Sequence, residues 1–153
     1  MSEQVVQRVK DALGAKIKDL QVKWPHRVYV EVDPDDLPDV ARCLFSELRA
    51  RYAIASGMEM EEGFEVLHHF AFDQDHVIVT VRVRADKENP SYESIAPIIE
   101  GAEFIEREMN ELLGIEFRGH PDMRRLLLPE EWPEGVHPLR RGKPWEGKVS
   151  KEL

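Results

Sequence analysis

Apolar side chains recur along the chain with two periods, and the switches between them mark out elements. Over 3–20, Val5, Val6, Val9, Leu13, Ile17 and Leu20 fall at helical spacing with polar residues between, which predicts a helix weakened at Gly14 and broken at Trp24-Pro25. The period then drops to two. In 27–32, Val28, Val30 and Val32 share one face and Tyr29 and Glu31 the other, as a half-buried strand requires. Asp33-Pro34-Asp35-Asp36 reads as a turn that caps a second helix at about 36–51, with Leu37, Val40, Ala41, Leu44, Phe45, Leu48 and Tyr52 as its packed stripe. Three strands follow, 53–60, 64–72 and 76–84, joined by short turns at Glu61-Glu62-Gly63 and Asp73-Gln74-Asp75. In the third, Val77, Val79, Val81 and Val83 alternate with Ile78, Thr80, Arg82 and Arg84, so the meander is an antiparallel sheet with one buried face. Residues 86–92 read as a loop, 94–99 as a short helix and 102–113 as a longer helix stopped by Gly114.

After Ile115 neither period persists. The expected fold class is therefore α+β: a mostly antiparallel sheet packed by helices over residues 1–116, then a long extended Pro-rich tail over 117–153. Five of the ten prolines lie in that tail, together with Phe117, Met123, Leu126, Leu127, Leu128, Trp132, Val136, Leu139 and Trp145. So much apolar surface does not suit a solvated linker, so the tail is expected to lie on its own domain or on another chain.

Charge sharpens this division. The tail carries eight basic and six acidic side chains, net +2, against 13 and 24, net −11, in residues 1–116. With a total of −9, the chain is not expected to bind nucleic acid, which needs clustered Lys and Arg. A length of 153 residues suffices for one core. The single cysteine, Cys43, permits no internal disulfide and no Cys-ligated metal cluster. The chain lacks an apolar run of membrane-spanning length and a signal-peptide core, so a soluble, cytoplasmic protein is expected. Only two Asn and four Gln stand among many Glu and Arg, the composition of hyperthermophile proteins.

Candidate chemistry is thin. Glu65-x-x-His68 and Glu134-x-x-His137 have di-iron spacing, but one falls on a strand and the other in the tail, so neither presents both groups on one helix face. Cys43, on the apolar side of the second helix, reads as an inert buried thiol. Glu103, Glu106, Glu108 and Glu111 crowd one helix with Arg107; the plain reading is a solvated face. A stand-alone acid/base or metal-dependent enzyme using Glu106 and His120 is the alternative reading. The tail arginines Arg118, Arg124, Arg125, Arg140 and Arg141 suit pairing at an interface, or tying the tail to the Glu-rich helix.

Several blocks then stand in order: Glu106-Arg107-Glu108, Gly114-Ile115, Phe117, Gly119-His120-Pro121-Asp122, Arg124-Arg125-Leu126 and His137-Pro138-Leu139-Arg140. In this order and spacing the segment 94–140 resembles the 30 kDa subunit family of respiratory complex I, which has relatives in membrane-bound energy-converting hydrogenase and sulfur-reductase complexes. Phe104 stands where Trp is usual and Arg140 is followed by Arg141-Gly142-Lys143-Pro144-Trp145, departures from the ordinary NADH:quinone pattern, and the hyperthermophile-like composition makes that branch attractive. The resemblance implies a non-catalytic structural subunit of the peripheral electron-transfer arm, without a cofactor or metal of its own. Its implied partners are the large hydrogenase-like subunit and neighbouring iron–sulfur subunits. Its implied place is the inner face of the cell membrane, reached only through the complex. Glu106, Arg107, Glu108, His120, Pro121, Arg124, Arg125, His137, Pro138, Leu139 and Arg140 would be partner-binding residues.

Overall fold

A computed structural model describes residues 2–142 of the chain. Lys143, Pro144, Trp145 and the residues after them lie outside that range. Three helices, α1 (Ser2–Leu13), α2 (Leu37–Arg42) and α3 (Glu103–Leu113), accompany strands β1 (Ile17–Trp24), β2 (Arg27–Val32), β3 (Arg51–Glu59), β4 (Gly63–Phe72), β5 (Val77–Asp86), β6 (Ser91–Glu93) and β7 (Glu116–Arg118). Strands β1 to β5 form one sheet in the order β1-β2-β5-β4-β3, antiparallel except for the β2–β5 pair. The short strands β6 and β7 pair in parallel apart from it. The α+β class and the mostly antiparallel sheet are as the periodicity predicts.

The register explains the core. Val28 and Val30 lie beside Val79 and Val81, which lie beside Phe70 and His68, so one sheet face is almost wholly apolar. Onto the same core pack Val5, Val9 and Leu13 of α1, Leu37, Val40 and Ala41 of α2, and Met109 and Leu113 of α3. Gly57 of β3 leaves room for α3, because a Cβ there would meet Met109 Sδ at 2.9 Å and Leu113 Cδ1 at 3.0 Å. His68 is the polar exception in this layer. Its Nδ1 lies 3.3 Å from the Tyr52 hydroxyl, its Nε2 has no hydrogen-bond partner among the described residues, and burial pushes its pKa down to about 3. The opposite sheet face carries an ion ladder: Glu65 takes Arg82 at 3.2 Å and Arg84 at 3.1 Å, and Arg84 also reaches Glu31 at 3.4 Å.

The structure corrects four elements. The helix expected over 3–20 ends at Leu13, where Gly14 takes φ +52°, and 17–24 form β1. A register shift between Ile17 and Asp19 puts Ile17 and Leu20 on one strand face, so a bulge imitates helical spacing. The second helix stops far short of residue 51. It widens into a π-helical turn over Cys43–Glu47, which rotates Phe45 out to 38% exposure, and Tyr52 lies in β3. Residues 94–99 are turns, with Ile98 and Ile99 N–H both donating to the Ile95 carbonyl. Finally, β6 and β7 occupy stretches whose patterns are too short to show a period. Cys43 is buried, and burial pushes its thiol up, with the Glu47 carboxylate adding.

Candidate partner-binding site

The ordered blocks converge on α3. From Gly119 to Gly142 the chain forms a strap that runs alongside this helix in the same direction, attached largely by contacts between side chains and backbone. At the start of α3, His120 Nε2–H donates to the Glu103 carbonyl at 3.0 Å, while its Nδ1 accepts the Asp122 N–H at 3.0 Å. One turn on, Arg107 Nε and Nη2 donate to the carbonyls of Arg124 and Arg125, both at 2.8 Å. The next turn brings Glu111, whose carboxylate accepts the consecutive N–H groups of Leu126, Leu127 and Leu128 at 2.5, 2.8 and 3.2 Å. Burial pushes this carboxyl up, but those three N–H groups and the Arg125 charge outweigh it and hold the pKa below the ordinary range.

At the end of α3 the His-Pro-Leu-Arg block works as a cap. A helix leaves its last carbonyls without intrahelical donors. Here the carbonyls of Glu111, Leu112, Leu113 and Gly114 accept, in turn, His137 Nδ1–H at 2.8 Å, Leu139 N–H at 3.0 Å, Arg140 Nε–H at 2.7 Å and Arg140 Nη2–H at 3.3 Å. Gly114 is required twice. It takes φ +70°, and a Cβ there would lie 2.5 Å from the His137 ring and 2.9 Å from Arg140 Nη2. Beyond this cap, the Arg141 N–H donates to Glu59 at 2.5 Å, joining the tail to the end of β3.

The remaining motif residues hold the strap's own shape. Exposed Arg124 closes on half-buried Asp122 at 2.7 Å and holds the Asp122 carboxyl far below its ordinary value. Arg125 donates to the carbonyls of Pro129 and Trp132 at 2.6 and 2.7 Å. Pro121 and Pro138 lie in the strap without regular structure, and Glu108 is exposed on α3. The solvated Glu face needs correction. Glu106 is 1% exposed, with its carboxylate accepting the Ser94 hydroxyl at 2.5 Å and the Ile95 N–H at 2.8 Å. Burial pushes its pKa up, against those hydrogen bonds and His120. His120 Nε2 lies 3.8 Å from Glu106, yet the two side chains are 0% and 1% exposed, so a substrate has no route to the pair. Nor does any group of three or more His, Cys, Asp and Glu among the described residues have metal-holding geometry. Sequence reasoning missed two acceptors of main-chain N–H groups, Glu111 and Glu59, because such a bond leaves no signature in the identity of its donor.

Among the side chains left outward on α3 and the strap, beside exposed Arg124, Arg125, Glu130 and Glu131, are four large apolar ones. Phe104, Met123, Leu127 and Leu139 are 59%, 39%, 57% and 60% exposed along α3 and the strap, and the Arg107 guanidinium lies 5.7 Å from the Phe104 ring centre. Exposed apolar groups along one ordered segment are the ingredients of a protein interface.

A family model described as the respiratory-chain NADH dehydrogenase 30 kDa subunit matches residues 30–149. The chain belongs to this family. Thus the resemblance seen in the ordered blocks holds. An NADH-quinone oxidoreductase subunit of Roseiflexus sp. (strain RS-1) is 33% identical over 147 residues, covering 92% of this chain and 82% of its own. Membrane-bound hydrogenase subunit beta of Pyrococcus furiosus is 31% identical over 147 residues, covering 91% and 84%. A solved structure of the membrane-bound sulfane sulfur reductase, an archaeal respiratory membrane complex, contains a chain that superimposes with a TM-score of 0.79 at 18% identity. The match covers 90% of this chain and 82% of that one, and it establishes a shared fold. The chain is thus a complex I-like oxidoreductase subunit by family. Among its described residues, no helix is long and apolar enough to cross a membrane.

Proposed function

We propose that this chain is a non-catalytic structural subunit in the peripheral electron-transfer arm of a complex I-like membrane-bound oxidoreductase. It docks the large hydrogenase-like subunit, with iron–sulfur subunits as neighbours, and reaches the inner face of the cell membrane only through them. It carries no cofactor or metal of its own. The observation that carries this reading is the set of exposed apolar side chains, Phe104 on α3 and Met123, Leu127 and Leu139 on a strap that α3 already holds in place. Such a surface loses little entropy on docking, because its shape precedes the partner. Of the family motif residues, Arg107, His120, Arg125, His137 and Arg140 serve the interface by positioning the strap; Glu108, Pro121, Pro138 and Leu139 stand where they can meet the partner. Relatives named for NADH-quinone oxidoreductase and for membrane-bound hydrogenase support the assembly.

The test is co-purification of the tagged chain with the large subunit from native membranes. Leu127→Asp with Leu139→Asp is expected to lower recovery of the large subunit about tenfold or more, the effect of burying charge in an interface core. The melting temperature of the isolated chain should stay within about 2 °C, since both side chains are exposed. Undiminished recovery would overturn the reading. Metal analysis of the pure chain is expected to find no stoichiometric metal.

A further inference from the structure

The five-stranded sheet has ends of opposite charge. At one end lie the β2–α2 turn with Asp33, Asp35 and Asp36, the β3–β4 turn with Glu61 and Glu62, and the close of β5 at Asp86. At the other end lie the β1–β2 turn, the start of β5 and the start of β3. There Lys23, Arg27 and Arg49 are exposed and paired with no carboxylate among the described residues, and His26 and His76 are exposed beside them. The carboxylates at this end are mostly taken: Asp73 by Arg51 at 2.8 Å and Asp75 by Arg8 at 3.2 Å. Glu47, two residues before Arg49, leaves the end net positive. In a region of net charge −11 over residues 1–116, the two unpaired cations Lys23 and Arg27 on one turn are a local exception, with Arg49 across the sheet before β3. Beside Lys23 and Arg27 on the β1–β2 turn stands the most exposed large apolar side chain among the described residues: Trp24, at the end of β1, is 70% exposed, and Val22 on the same strand is 51% exposed.

We infer that the basic β1–β2 turn, centred on Trp24 with Lys23 and Arg27, is a second docking surface for an acidic segment of a neighbouring protein chain. An exposed Trp flanked by a lysine and an arginine has the composition of an interface hot spot, where the ring supplies buried area and the cations supply orientation and choice of partner. Nearby cations without carboxylates of their own repel one another, so an acidic partner gains from each of them. An anionic membrane is a poorer fit, because two apolar side chains on one strand give little insertion depth. The surface lies on the β1–β2 turn, separate from the α3 strap, so the two contacts can be lost independently.

The experiment places the photo-cross-linker p-benzoylphenylalanine at position 24 of the full chain, expressed in its native host, and reads cross-linked peptides in the purified complex by mass spectrometry. The expected product joins position 24 to a protein segment richer in Asp and Glu than in Lys and Arg. Adding Lys23→Glu and Arg27→Glu is expected to cut its yield about tenfold. An unchanged melting temperature of that variant shows that the fold is intact. A cross-link to lipid, to a segment without acidic excess, or of unchanged yield in the charge variant would overturn the inference. So would a yield no greater than that from the same probe at Glu88, beyond β5 at the acidic end. If the complex assembles normally but the cross-link is absent, this contact fails while the strap reading stands; if no complex forms with the unsubstituted chain, the strap reading fails instead.

Discussion

Gly114 shows how a single residue can decide a surface. Its positive φ costs an alanine about 1–2 kcal/mol, and the His137 ring and Arg140 stand where a Cβ would go. Gly114→Ala is therefore expected to destabilise the chain by about 2 kcal/mol or more, counting the left-handed cost together with the lost cap bonds. More specifically, it should lift the His-Pro-Leu-Arg block from the helix end. Limited proteolysis checks this: cleavage between about 129 and 142 should rise in the variant, while cleavage within the sheet changes far less. Equal protection in both proteins would show that the block seats elsewhere. The glycine was legible in the sequence as a helix stop, and the block as a family motif. That the two meet was not, since the link runs through four carbonyls, and every residue type has one. Glu106 was misjudged for a related reason. Sequence averages put glutamate in water, but the Ser94 hydroxyl and Ile95 N–H give this carboxylate a buried place.

At the scale of elements, α3 and the strap form a pair held by polar contacts in place of a second regular element. Glu111 is the centre of that pair, one carboxylate facing three successive N–H groups. Glu111→Gln keeps the shape but turns half of the acceptor into a donor, and should weaken the attachment by about 1 kcal/mol. The pH dependence follows from the direction of the shift. A carboxyl held below its ordinary value stabilises the fold fully above the unfolded glutamate value, and that contribution is lost as the pH falls through the folded one. Amide hydrogen exchange at Leu126–Leu128, corrected for the intrinsic pH effect, should therefore speed up in acid in the native chain. The glutamine variant should show no such step. The periodicity gave a sound account of α3 and of the β3–β4–β5 meander, where long stretches keep one period. It failed at β1, where a bulge breaks the alternation, and in α2, where a π-helical turn slips the stripe. Irregularities of a single residue alter which face a side chain takes, and a pattern of residue types alone has no means of locating them.

For the whole molecule, the division of charge between domain and tail takes on another meaning. The tail's net +2 suggests a basic strip offered to a partner. Yet Arg118 is engaged by Glu93 at 3.0 Å, Arg124 by Asp122, and Arg125 and Arg140 by carbonyls of the strap and of α3. The positive groups of residues 118–140 are thus engaged within the chain, and the segment they hold exposes Met123, Leu127 and Leu139. This predicts where an independently stable unit ends. A chain cut after Arg118 would expose the four carbonyls at the end of α3, strip Arg107 and Glu111 of their partners, and uncover the helix side beneath the strap. A chain cut after Gly142 would keep all of these. The shorter one is expected to melt roughly 5–10 °C below the full chain, taking about 2–4 °C per kcal/mol for a domain of this size. The longer one should melt within about 2 °C of it. Thermal unfolding of all three, followed by circular dichroism at one pH and salt concentration, measures both differences. If the chain ending at Arg118 melted with the full chain, the strap would contribute nothing to the fold, and its order would have to come from the partner. If the chain ending at Gly142 fell to the level of the shorter one, the stabilising contacts would instead lie in residues 143–153.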